Sequence, residues 1–175
     1  MRIIGGRWRG RRIAAPAGEL VRPTGDRMRE AWMSILGPRI PHARVLDLFA
    51  GSGALGLESL SRGASSVQFV EHAPRSIQAL QANVEQLGAA GSVTIDRSDA
   101  MVFIAALGPG AYDVAFADPP YGSGVAQRVA EQWLAVPFAT VLGIEHRRGE
   151  SMPGEPDTRT YGTAAVSFYR VEPAG

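Results

Sequence analysis

Beyond Arg44 the chain switches repeatedly between two periodicities, and that alternation restricts its fold more than any other feature. Apolar runs at residues 45–49, 67–71, 92–95, 112–117 and 140–145 read as buried strands. Between them, residues 53–60, 74–87, 101–107 and 125–134 read as helices. In the second of these, Ile77, Leu80, Val84 and Leu87 recur at helical spacing and Gly88 supplies the stop. Strands that alternate with helices pair in parallel through crossovers, which place the helices on both faces of one sheet. Tyr161-Gly162 and residues 165–171 add a closing antiparallel pair. The expected class is α/β, with a seven-stranded, mostly parallel sheet. The Gly-, Pro- and Glu-rich stretch at residues 147–158 is expected to be a loop.

Ahead of this region, residues 1–14 alternate apolar and basic positions around Gly5-Gly6 and Gly10, which predicts a short β-hairpin. A helix is expected at residues 26–36, with Met28, Ala31, Trp32, Ile35 and Leu36 on a core-facing side and Gly37-Pro38 at its end. Two units follow: a basic N-terminal extension, 1–44, and a core, 45–175.

The formal net charge of +1 conceals a strong asymmetry. Residues 1–44 hold ten arginines against Glu19, Asp26 and Glu30, a net +7, whereas the other 131 residues hold eight arginines against fourteen acids, a net −6. Arginine pairs bidentately with phosphate and stacks on bases, so this end is expected to meet a polyanion. The candidate contacts are Arg2, Arg7, Trp8, Arg9, Arg11, Arg12, Arg22 and Arg27; Trp8 has two readings, stacking on a base or packing the hairpin onto the body. Cysteine is absent, which excludes disulfides and thiolate metal sites, and His42, His72 and His146 are scattered. No metal is expected. The chain has no apolar run near the roughly 20 residues that span a bilayer, and its first residues lack a signal-peptide core. A cytoplasmic protein with no membrane partner, acting as a monomer, is the expectation.

The junction of the first strand and first helix reads Asp47-Leu48-Phe49-Ala50-Gly51-Ser52-Gly53-Ala54-Leu55-Gly56. Gly51, Gly53 and Gly56 fit a dinucleotide fingerprint, and Glu71, twenty residues after Gly51, stands where an acid binds ribose hydroxyls. A nicotinamide enzyme is one reading. Asp47 argues for another, because a pyrophosphate would be repelled by it whereas the ammonium of an amino acid would not. Asp99 can accept from an adenine amino group, with the Ala100 N–H serving a ring nitrogen. An amino-acid end, a ribose and an adenine together describe S-adenosylmethionine. Glu71 and Asp99 also have a plain alternative as caps of the helices that follow them.

Asp118-Pro119-Pro120-Tyr121 ends the fourth strand. The prolines fix φ and remove two N–H donors, Asp118 adds an acceptor, and Tyr121 offers a ring for stacking. Such a wall suits the exocyclic amine of a nucleobase.

These residues resemble the Rossmann-like class I methyltransferases, and among them the amino-group methylators with a D/N-P-P-Y/F motif. Arg2-Ile3-Ile4-Gly5-Gly6, Arg9-Gly10-Arg11, Arg22-Pro23-Thr24, Asp26-Arg27, Arg29-Glu30 and residues 45–64 extend the likeness to the RsmD type, bacterial 16S ribosomal RNA guanine-N2 methyltransferases. The resemblance implies S-adenosylmethionine as cofactor, held by Asp47, Phe49, Ala50, Gly51, Ser52, Gly53, Glu71, Asp99 and Ala100, with the Arg22-Pro23-Thr24 turn near its mouth. It implies that Asp118, Pro119, Pro120 and Tyr121 hold a flipped guanine and that the N-terminal hairpin grips RNA of the small ribosomal subunit or its assembly intermediate. Methylation of DNA adenine or protein glutamine, and a non-catalytic ribosome assembly role, are the competing readings.

Overall fold

The computed structural model describes residues 1–18 and 23–172. Arg22 therefore lies outside the described residues, as does the side chain of Thr24. The ordered elements are α1 (Pro23–Leu36), β1 (Arg44–Leu48), α2 (Ala54–Ser61), β2 (Ser66–Glu71), α3 (Pro74–Leu87), β3 (Val93–Arg97), α4 (Ala100–Ala105), β4 (Tyr112–Ala117), α5 (Val125–Ala135), β5 (Ala139–Arg147), β6 (Asp157–Tyr161) and β7 (Ala164–Arg170). They build one seven-stranded sheet in the order β3-β2-β1-β4-β5-β7-β6. The first five strands run parallel, and β7 lies antiparallel to both β5 and β6.

The alternation along each strand explains the layers. Val45 of β1 faces an apolar cluster with Met28, Trp32 and Leu36 of α1, Leu57 and Leu60 of α2, and Leu80 and Val84 of α3. Leu46 and Leu48 face the opposite cluster, with Ile104 of α4 and Ala126, Val129 and Trp133 of α5. Period-two burial on a central strand is what permits helices on both faces. Trp32 fills the centre of the first layer, tilted at 5.2 Å from Phe116 and edge-on at 5.9 Å from Phe168.

Three expectations need correction. The N-terminal segment makes hairpin-type bonds, from Ile3 N to Arg11 O, Gly10 N to Ile3 O and Ile13 N to Met1 O, yet it forms a single bridge, Arg2 with Arg12, rather than two regular strands. A 3-10 turn, Gly6–Trp8, interrupts it. The reason is tertiary: the N–H groups of Ile4, Gly5 and Trp8 donate to Glu58 and Ser61 of α2, 2.8–3.0 Å away, instead of across a ladder. Gly6 is required there, because a Cβ would lie 1.9 Å from the Ser61 carbonyl oxygen and φ is +77°. Second, α1 begins at Pro23, three residues before the expected start, with proline in the first turn, where its missing N–H is harmless. Third, β5 runs to Arg147 and β6 starts at Asp157, so the expected 147–158 loop loses both ends to pairing with β7.

Ile3, Trp8 and Ile13 of this N-terminal arm sit in the same apolar cluster as α1, α2 and α3. Among the described residues, no helix is long and apolar enough to cross a membrane.

Candidate active site

The chain order of the strands reverses between β1 and β4, which lie side by side. In open α/β sheets, ligands bind at the strand C-termini at such a switch point. Leu48 pairs in register with both Val70 of β2 and Ala117 of β4. The residues that follow, Phe49, Glu71 and Asp118, therefore emerge together at one edge. Val70 in turn pairs with Asp96, which puts Ser98 and Asp99 beside Glu71. An open cleft at this edge is lined by Phe49, Val70, Glu71, His72, Ser98, Asp99 and Ala100.

The turn after β1 is tightly constrained. Phe49 has φ +57°, a left-handed conformation that costs a side-chain-bearing residue about 1–2 kcal/mol and occurs mostly where function over-determines the backbone. Gly51 and Gly53 also have positive φ. The Glu71 carboxylate staples the turn: one oxygen accepts from Gly51 N at 2.9 Å and the other from His72 N and Ala73 N. Glu71 thus joins the glycine loop to the end of β2; the N–H groups it takes after β2 precede α3, whose N-cap is Ala73, so the helix-cap alternative does not hold. Asp99, by contrast, is the N-cap of α4, accepting from Val102 N at 3.1 Å. Asp99 also lines the cleft, beside Ala100. Both the capping reading and the cleft position hold for this acid.

Asp47 is 2% exposed and accepts from Gly56 N at 3.0 Å. Burial pushes its pKa up to about 8, the Gly56 hydrogen bond pulls it down, and the charge of Glu71 pushes it up again. Asp47 and Glu71 are thus close enough for one charge to act on the other; among the described residues Asp47 has no cationic partner, while His72 Nδ1 lies 3.7 Å from Glu71 Oε1. A cationic ligand group would relieve that arrangement.

Beyond β4, Asp118 and Pro120 are exposed and Pro119 is buried. The Ser123 hydroxyl donates to Pro120 O at 2.8 Å and closes the turn. The Tyr121 ring is 40% exposed. Its hydroxyl donates to Glu145 Oε1 at 3.2 Å, and the Arg147 guanidinium lies 5.9 Å from the ring centroid. Glu145 was not visible as a site residue in the sequence; β5 brings it there.

Arg2, Arg7, Arg9, Arg11, Arg12 and Arg27 are all exposed, as a polyanion surface requires. Two are partly engaged: Arg2 donates to Gly10 O, and Arg11 donates to Gln86 O on α3 at 2.7 Å. Trp8 takes the packing role. It is 8% exposed, and the Arg7 guanidinium covers its ring at 4.2 Å, which leaves no face for a base.

Sequence reading missed the residues that dock this arm. Glu58 of α2, 0% exposed, accepts from Ile4 N, Gly5 N and Arg62 Nε, and pairs with Arg29 Nε at 3.4 Å. Asn83 of α3, also 0% exposed, bonds to Ala14 and Ser52. Apart from Arg62, four residues on, their partners lie dozens of residues away in the chain, so local spacing could not signal the docking.

A family model described as Conserved hypothetical protein 95 matches residues 1–170. The Escherichia coli K12 ribosomal RNA small subunit methyltransferase D is 43% identical, over 100% of this chain and 92% of its own length. The solved structure of yhhF from Escherichia coli superposes with a TM-score of 0.85 at 34% identity, covering 98% of both chains. The T. thermophilus 16S rRNA N2 methyltransferase RsmC, solved with AdoMet and guanosine, has a TM-score of 0.68 at 24% identity, covering 89% of this chain and 45% of its own; it attests the fold. Matched across nearly all of its length by the family model and across all of it by a curated member, this chain belongs to the ribosomal RNA small subunit methyltransferase D family.

Proposed function

We propose that the protein transfers a methyl group from S-adenosylmethionine to the exocyclic N2 amine of a guanine in 16S ribosomal RNA, with residues 1–44 as the RNA-binding extension of a methyltransferase core at 45–175. The observation that carries this reading is the register of β1 and β4: Leu48 opposite Ala117 brings the Asp47–Gly53 turn and the Asp118–Tyr121 loop to one edge. The name of the Escherichia coli relative supports the small-subunit RNA substrate. RsmC supports the donor and the base, since the same fold there carries AdoMet and guanosine.

S-adenosylmethionine supplies a methyl group already activated on a sulfonium. The paired acids Asp47 and Glu71 suit it: Asp47 would hold its ammonium and Glu71 its ribose hydroxyls. Asp99 and the Ala100 N–H would serve the adenine edge, and Phe49 to Gly53 would form the backbone wall. The Glu71 and Asp99 bonds to backbone leave carboxylate lone pairs for these contacts.

The guanine amine is conjugated with its ring and is a poor nucleophile. Asp118 and the Pro119 carbonyl accept its hydrogens, which turns the nitrogen lone pair toward the donor and orients it for in-line attack. A proton leaves the nitrogen after transfer, to Asp118 or to water. Tyr121, steadied by Glu145, stacks on a base whose extraction from its helix costs a few kcal/mol. Arg2, Arg7, Arg9, Arg11, Arg12, Arg22 and Arg27 contact phosphates.

Asp118→Ala should abolish methylation of small ribosomal subunits while S-adenosylhomocysteine affinity stays within a few-fold. Nucleoside mass spectrometry of the RNA should find N2-methylguanosine only with the wild-type protein. Undiminished turnover by the variant, or a product on DNA adenine or protein glutamine instead, would overturn the assignment.

A further inference from the structure

Asn83 spends its whole amide on backbone groups from two distant segments. Its Oδ1 accepts from Ala14 N at 2.7 Å, and its Nδ2 donates to Ala14 O at 2.9 Å and to Ser52 O at 3.0 Å. Ala14 closes the arm that displays the arginines, and Ser52 is the middle of the glycine loop. Asn83 is 0% exposed; its bond to Ser52 is buried, and its two bonds to Ala14 are buried on the Asn83 side. A second clasp lies nearby: Glu58, four residues into the helix that leaves the glycine loop, holds Ile4 N and Gly5 N of the same arm. Arm, glycine loop and α2 therefore form a closed ring of hydrogen bonds through two buried side chains.

The chemistry demands an amide at position 83. An aspartate has the same shape and would still accept from Ala14 N, but its second oxygen would face two carbonyl oxygens where Nδ2 now donates. A glutamine would overreach a site with no slack. The bond to Ser52 O is not needed to fold α3, which is an ordinary helix with proline in its first turn and Gly88 at its end.

We propose that Asn83 is a positioning residue that couples RNA binding on the arm to donor binding at the glycine loop. Resting on the function proposed above, the coupling works through ordering. A donor that fixes the Ser52 backbone fixes the Asn83 amide, and with it Ala14, so the arm loses less freedom when it meets RNA. The effect is reciprocal by linkage: RNA on the arm tightens the donor site by the same factor.

Affinity for S-adenosylhomocysteine, measured with and without unmodified small ribosomal subunits, reads the coupling directly. The wild type should bind it at least about fivefold more tightly with subunits present. Asn83→Asp and Asn83→Ala should bring that ratio close to one. Gln86→Ala is the comparison, because Gln86 bonds Arg12 O from the same helix without touching the glycine loop; it should keep the wild-type ratio. A measurement free of any variant is hydrogen exchange: S-adenosylhomocysteine alone should slow exchange of the Ala14 amide in the wild type. Equal affinities with and without subunits, an Ala14 amide indifferent to S-adenosylhomocysteine, or full coupling in Asn83→Asp each overturn the proposal. Failure of the wild type to bind either ligand would instead overturn the proposed function, whereas independent binding of both overturns only the coupling.

Discussion

Glu58→Ala tests the idea that the arm is held by a buried charge rather than by its own hairpin. Glu58 is fully buried and serves two arm N–H groups, at 2.8 and 2.9 Å, together with Arg62 at 2.9 Å and Arg29 at 3.4 Å. Arg29 is itself 4% exposed, and its Nε has no hydrogen-bond partner, so Glu58 is the anion that its burial depends on, with Asp26 a half-exposed second partner on the other side. Removing one partner of a buried ion pair costs about 3–5 kcal/mol, because the other charge stays buried. Orphaning the Ile4 and Gly5 N–H groups adds to this, though water reaching the vacated space gives part of it back. We expect a loss of about 4 kcal/mol, out of the 5–15 kcal/mol typical of a domain, and a fall in Tm of about 10 °C. Urea unfolding followed by circular dichroism measures it. A double-mutant cycle with Arg29→Met should return a coupling of about 1–3 kcal/mol. A loss below about 1 kcal/mol, or additive single variants, would refute the reasoning and mean that the arm is held by apolar contact alone.

Three further outcomes are expected. Asp47 has a folded pKa raised to about 8 against about 4 in an unfolded chain, so between those values the native state holds a proton the unfolded state has released. Stability should therefore decline as pH rises from about 4 to 8, and Asp47→Asn should flatten that decline in urea titrations at successive pH values. Gly56→Ala would put a Cβ 2.4 Å from Phe69 Cε1 and 2.8 Å from Val67 Cγ1, which should cost about 1–3 kcal/mol by overpacking, whereas Gly108→Ala, in open space, should change stability by less than about 0.5 kcal/mol. Replacing Arg9, Arg11 and Arg12 together by Ala should weaken RNA binding and reduce the slope of log affinity against log salt by about 2, measured by filter binding at four salt concentrations. An unchanged slope would place the RNA grip elsewhere.

The parts legible in the sequence are those governed by local rules. Residues 74–87 were readable as a helix because Ile77, Leu80, Val84 and Leu87 share a face and Gly88 takes the left-handed stop, and the helix ends there. The five parallel strands were legible to within two residues, since buried parallel strands are unbroken apolar runs, whereas the exposed edge strand Asp157–Tyr161 was read largely as loop. Asp47, the glycine turn and Asp118-Pro119-Pro120-Tyr121 stood out because acids and prolines at strand ends break those runs. The arm was less legible: its alternation promised a hairpin, but ladder bonds compete with a carboxylate on α2, and alternation cannot announce a partner fifty residues away.

The order of the residues alone determined that the chain folds as alternating strands and helices, which acids stand at the strand ends, and that the arginines gather at one end; periodicity and chemical type are properties of neighbours in the chain. Only the tertiary structure decided that Trp8 packs, that Glu58 and Asn83 clamp the arm to α2 and to the glycine loop, and that Glu145 steadies Tyr121. Those choices follow from burial, which gives a polar group its worth only once the groups around it have displaced water.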